Sequence, residues 1–273
     1  MDDIGLELKE YWEKLRPIGL TYSQEITAEF QKLWGVTKIT GSNYQVCEVA
    51  GALIARQVSL AANFAQDPLL WNVHFAPIIQ RCFFEININL AWIFRDPIER
   101  SRQFIEFGLG AQKLYIEHLK INKDKYEDDI DALITAETEW LNMQKNPEFI
   151  PVDISGNWSG LGLRDMAIEV DMKDYYDFYY PRLSSAIHSN WHFIGKVNVS
   201  QCDNVMHRFH FVPKLAGIES NTSLLMITLG MLNMSFDLYQ DNFMIDAEVG
   251  YAYQNAGTAC KKLFNDKASA VPI

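Results

Sequence analysis

Apolar residues recur at helical spacing along almost the whole chain. Val46, Val49, Ala50, Leu53 and Ile54 fall on one stripe of a long helix predicted over 43–66. The stretch 69–94 is apolar nearly all round, which marks a central helix buried on every side. Towards the N-terminus, Pro17 and Gly19 predict a break between amphipathic helices at 6–15 and 22–34. Asp96 followed by Pro97 reads as an N-cap and a first helical position, opening a helix that runs to about residue 120. A helix with an acidic, solvated face is expected at 126–143, a long loop at 146–162, and a short helix at 165–172. The next helix is expected from residue 174 to about 190. Beyond it, 193–217 reads as irregular, with alternation in Arg208-Phe209-His210-Phe211-Val212 sufficient for one short strand. Helices at 220 to about 239 and at 245–264 complete the pattern. No repeat, low-complexity tract or linker interrupts it, so the expectation is an all-α, multi-helix bundle of about eight to ten helices forming one domain over 1–273.

Composition supports a packed core: 48% of residues are apolar and 22% charged, with seven Trp and sixteen Phe. The net charge of −11 argues against broad, non-specific attachment to nucleic acid or to an anionic membrane. The charge is segregated, however. The stretch 117–148 is strongly acidic, whereas 181–215 holds Arg182, Lys196, Arg208 and Lys214 against Asp203 alone, together with His188, His192, His207 and His210. Lys196, Arg208 and Lys214 are therefore candidates for substrate binding. Cys47, Cys82, Cys202 and Cys260 are scattered without a paired spacing, which fits free thiols and a cytoplasmic setting. The first residues lack the basic and apolar regions of a signal peptide, and the most apolar run, 223–238, is short for a membrane span and carries Asn233 and Asp237. A soluble chain with no membrane partner is expected.

Candidate chemistry concentrates in Tyr179-Tyr180-Pro181-Arg182-Leu183-Ser184-Ser185-Ala186-Ile187-His188. A permanently charged guanidinium and an imidazole that titrates near neutral pH suit phosphodiester chemistry. On a straight helix the two side chains stand about 120° apart, so they would approach one phosphate from two sides. Ser184 shares the face of His188, and Tyr180 lies nearly on it. Arg81 and Glu85, one helical turn apart in an apolar stretch, read first as an internal ion pair and second as a support for the Arg–His pair. His188-x-x-x-His192, with Cys202, His207 and His210 near in sequence, has the spacing of a helical metal pair. A helix end near Asn190 would turn His192 away, and no acid stands in an HExxH arrangement, so neither a metal nor another cofactor is expected.

Tyr180-x-x-Leu183-Ser184-x-x-x-His188, preceded by Arg81-x-x-x-Glu85, Trp92-Ile93, Asp96 and Trp158-x-Gly160, resembles the hallmark of a family of prokaryotic helical proteins of unknown function. The resemblance covers 43–188. The Arg182-x5-His188 spacing is also similar to the signature of the HEPN superfamily, although Leu183 stands where that signature usually has a polar residue. This second resemblance implies a HEPN-like helical core at 43–190 with a C-terminal extension at 191–273, and a homodimer. It also implies a metal-independent endoribonuclease of a phage-defence or toxin–antitoxin system, with RNA as substrate and an antitoxin or activating protein as partner. In that mechanism Arg182 and His188 are catalytic, with Ser184, Tyr180, Arg81 and Glu85 in support. The alternative expectation is a non-catalytic helical module that binds a nucleotide or a protein in such a system.

Overall fold

The computed structural model describes residues 2–125, 129–153, 156–217 and 219–269, with side chains described between residues 11 and 263 of those ranges. Helix α1 runs over Asp2–Val36 and passes straight through Pro17. The predicted break is absent because tertiary packing outweighs the lost hydrogen bond: Leu15, Tyr22, Ile26 and Leu33 form one buried stripe that continues across the proline. Gly19 is required for another reason. A Cβ there would lie 1.6 Å from the Ala65 carbonyl oxygen, so α1 meets the end of the next helix at backbone contact.

Helix α2 (Tyr44–Gln66) and α3 (Ala76–Ile93) follow. The predicted helix over 69–94 starts late, because local bonds hold a different backbone in front of it. The Trp71 indole donates to the Phe64 carbonyl at 2.8 Å, and the Asn72 side chain accepts the N–H groups of His74 and Phe75. Helix α4 (Pro97–Ile121) begins after Asp96, as expected, although the Asp96 side chain makes no capping bond. Helices α5 (Ile130–Gln144), α6 (Leu163–Glu169) and α7 (Lys173–Ile187) come next. The first three positions of the expected acidic helix, Tyr126 to Asp128, lie outside the described residues.

The region read as irregular is more ordered than expected. It contains helix α8 (Trp191–Val197) and an antiparallel hairpin of β1 (Val199–Gln201) and β2 (Phe211–Pro213), with Ser200 opposite Val212. Helices α9 (Thr222–Phe243) and α10 (Tyr251–Ser269) close the chain. The predicted last helix began too early: Met244 and Gly250 adopt left-handed backbone at φ 50° and 90°, and a turn separates α9 from α10. Ten α-helices and one two-stranded sheet among the described residues make the protein all-α.

Helix α3 sits at the centre, with α9, α7 and α2 packed around it, while α1 lies across α2 and α10. Phe83, Phe84, Ile88 and Leu90 of α3 are buried, and Leu229, Leu232 and Phe236 of α9 join the same core. A second cluster, Leu109, Ile116, Leu141 and Ile150, fills the space beside α4 and α5.

One buried acid links folding to pH. Glu29 is fully buried, accepts the Ala252 N–H at 2.7 Å, and faces the backbone N–H groups of Gly250 and Tyr251 at the start of α10. Burial raises its pKa above the ordinary carboxylate value; the backbone donors oppose that shift and nearby Glu25 adds to it. The folded chain therefore holds this proton more tightly than the unfolded chain, and stability from this group falls as pH rises from the ordinary carboxylate value through the raised one. Glu29→Gln keeps the acceptor without the charge and is expected to flatten that part of the stability profile, measured by urea unfolding across mildly acidic pH. An unchanged slope in the variant would assign the dependence to another group.

Candidate functional site

The end of α7 decides where Arg182 and His188 stand. The helix stops at Ile187, three residues before the expected end, because Ser189 turns left-handed at φ 51°. Two reverse bonds seal the turn: Asn190 N–H donates to the Ser185 carbonyl at 3.0 Å, and Ser189 N–H to the Ala186 carbonyl at 3.3 Å. His188 is thus the C-cap residue, held by its own N–H on the Ser184 carbonyl at 3.0 Å. The buried face of α7, with Leu183 and Ser185, packs on α3, leaving Arg182 and His188 exposed.

Neither of these two side chains has a hydrogen-bond or ion-pair partner among the described residues. The Arg182 guanidinium instead lies over the Phe178 ring, 4.4 Å from its centroid. Ser184 is half-buried one turn before His188, and no bond joins their side chains. Phe178, Ile187 and Trp191, close to the pair along the chain, are exposed by 52%, 41% and 69%. Arg182 also borders a cleft of about 280 Å³ between α3, α7, α8 and α9, with Gln80, Phe178, Phe193 and Ile227 among its walls. His188 is not part of that lining. Gln80 was missed in the sequence, although a glutamine within the apolar α3 pattern was its signal; its amide donates to the Leu224 carbonyl at 3.2 Å and to Thr228 Oγ1 at 3.1 Å.

Arg81, Glu85 and Tyr180 come together, but around one another rather than around His188. Arg81 Nε donates to Glu85 Oε1 at 2.6 Å, and its guanidinium stacks 4.1 Å from the centre of the Tyr180 ring. Tyr180 stacks in turn on Tyr176 at 4.5 Å and 15°. Arg81 Nη1 is buried with no hydrogen-bond partner among the described residues, so this guanidinium is held chiefly by rings and one carboxylate. The arrangement fixes α7 on α3. The other motif residues pack similarly: Trp158 meets Trp92 and Phe104 edge-on at 5.2 Å and 4.8 Å, and Arg100 covers Trp92 at 3.5 Å. The Trp92 indole donates to Glu169 Oε2 at 2.6 Å.

A family model matches residues 48–205, more than half of the chain. The chain belongs to DUF5677, a family of unknown function. The matched stretch of this DUF5677 protein reaches from α2 into the hairpin loop and includes the whole of α7. No curated protein and no solved structure matches it.

The basic candidates of the DUF5677 chain lie on other elements than the Arg–His pair. Lys196 is on α8, with its ammonium 3.0 Å from His192 Nε2; Arg208 is exposed in the hairpin loop, and Lys214 follows β2. No described contact joins them to Arg182 or His188. As the early end of α7 requires, His192 belongs to the next helix, α8, and does not pair with His188, whereas Cys202, His207 and His210 present one ligating atom each within 4.8 Å of one another. No helix among the described residues is long and apolar enough to cross a membrane.

Proposed function

We propose that this protein is a metal-independent RNA endonuclease that works as a homodimer. The observation that carries the reading is the Arg182–His188 pair: a cation and an imidazole at the end of one helix, exposed and with no side-chain hydrogen bond or ion pair among the described residues, on a helix whose opposite face is locked into the core. Polar side chains on a rigid support, free of competing ion pairs, are available to a phosphodiester. Exposed Phe178, Ile187 and Trp191, near the pair in the chain, offer apolar surface to a second copy, which would bring a second Arg–His pair to the same phosphate.

In this mechanism His188 takes the proton from the ribose 2′-OH as its oxygen attacks the adjacent phosphorus. The bond from phosphorus to the 5′-oxygen breaks, and the second copy's imidazole protonates the departing oxygen. Arg182 stabilises the charge that gathers on the non-bridging oxygens. The products are a 2′,3′-cyclic phosphate and a 5′-hydroxyl, with no metal involved. The setting in phage defence or a toxin–antitoxin pair, with a neutralising or activating protein, rests on the HEPN resemblance of the Arg–His spacing.

A second reading has its own support. The cleft includes Arg182 but not His188, which suits a non-catalytic site for a nucleotide or a protein. The two separate on incubating purified protein with total RNA in EDTA. The nuclease yields fragments ending in 2′,3′-cyclic phosphate. Intact RNA that is nonetheless bound would favour the binding module.

A further inference from the structure

The hairpin loop between β1 and β2 turns its apolar side chains outward and its ligating groups toward one another. Val205, Met206 and Phe209 are exposed by 94%, 87% and 89%, so hydrophobic burial does not shape the loop. Backbone bonds do: Cys202 N–H donates to the His210 carbonyl at 3.0 Å, His210 N–H to the His207 carbonyl at 3.2 Å, and His207 N–H to the Asn204 carbonyl at 2.9 Å. Phe209 supplies the reversal at φ 64°. The result places Cys202 Sγ 3.7 Å from His207 Nδ1 and the His207 and His210 rings 5.4 Å apart between centroids.

These are the dimensions of a metal site. With zinc–sulfur and zinc–nitrogen bonds of about 2.3 and 2.0–2.1 Å, a tetrahedral ion sets its sulfur–nitrogen edge at about 3.6 Å. The Cys202–His207 edge already has nearly that length, and the His210 donor lies within 4.8 Å of both. We infer that Cys202, His207 and His210 bind one zinc ion, leaving its fourth position to water or an incoming ligand. One thiolate and two imidazoles select zinc over the hard, oxygen-seeking magnesium and calcium.

Binding releases the Cys202 proton to solvent. It also requires a change at Asn204, whose amide nitrogen lies 3.2 Å from His207 Nε2 while its oxygen accepts the Met206 N–H at 3.0 Å. A metal on Nδ1 puts the imidazole proton on Nε2, so the Asn204 amide must swing aside. The bound ion would then pin a loop that carries Arg208 and precedes Lys214. This inference is independent of the Arg182–His188 chemistry, and its test uses no RNA.

The full chain, stripped with chelator and dialysed, is titrated with Co²⁺ and then Zn²⁺. One equivalent of cobalt is expected to give the visible bands of a four-coordinate ion and a thiolate charge-transfer band, both removed by zinc. Cys202→Ser should abolish the charge-transfer band, and His210→Ala should weaken binding by roughly tenfold or more. His192→Ala should change neither. Because these residues lie on an exposed loop, circular dichroism of each variant is expected to match the parent. Absence of the bands in the folded parent, or a charge-transfer band that survives in Cys202→Ser, would overturn the assignment.

Discussion

Replacing His188 by alanine is expected to lower RNA cleavage by about two to four orders of magnitude, the usual contribution of a positioned general acid or base. The fold should not change. His188 is exposed, its side chain makes no described bond, and its backbone, at φ −88° and ψ 8°, suits any residue. Arg182→Ala should cost about two to three orders of magnitude through lost charge stabilisation, while giving up only a weak, exposed contact with Phe178. Arg182→Lys should recover part of that loss, since it keeps the charge but not the planar fork. Single-turnover rates on one labelled RNA, with thermal melts of each variant, would separate chemistry from stability. Full activity in His188→Ala would remove this histidine from the mechanism.

The largest stability effect is expected at Asn87, which is fully buried and joins four helices. Its Nδ2 donates to the Met231 carbonyl at 3.0 Å and to Tyr175 Oη at 3.1 Å, while its Oδ1 accepts from Gln57 Nε2 at 2.9 Å and Ser235 Oγ at 2.7 Å. The partners sit on α2, α7 and α9, with Asn87 itself on α3. Asn87→Ala leaves several buried polar groups unpaired, each costing about 1–3 kcal/mol, and adds a small cavity. A loss of about 3–5 kcal/mol is expected in urea unfolding, scaled for incomplete relaxation around the site. A loss below about 1 kcal/mol would show that the network is not what holds these helices together. Because Tyr175 belongs to α7, the same substitution should also loosen the helix that presents Arg182 and His188.

The long helices were legible because a 3.6-residue stripe is visible wherever one face is buried, as in α2, α4 and α9. Several boundaries were not, and each of these had a local cause. Pro17 signals a break that the buried Leu15–Tyr22–Ile26 stripe overrides. The amide of Asn72 and the indole of Trp71 hold the segment before α3 out of the helix. Ser189, a residue with little preference for left-handed backbone, ends α7 early and makes His188 a cap residue rather than a mid-helix one. The spacing of Arg182 and His188 could be read directly, as could the Arg81–Glu85 ion pair. That Arg81 would stack on Tyr180 could not, because the contact depends on how α3 and α7 cross. The same holds for Cys202, His207 and His210. Their grouping depends on hairpin closure, and the sequence signalled only one of its two strands.

The most direct test of the nuclease reading compares, in EDTA, an RNA cut by the purified protein with the same RNA carrying a single 2′-deoxynucleotide immediately 5′ of the cut phosphate. Cleavage of the first and protection of that position in the second is the predicted result, since the attacking oxygen has been removed. Equal cleavage of both would require a different nucleophile, and no cleavage of either by folded protein would contradict the assignment of Arg182 and His188 to catalysis.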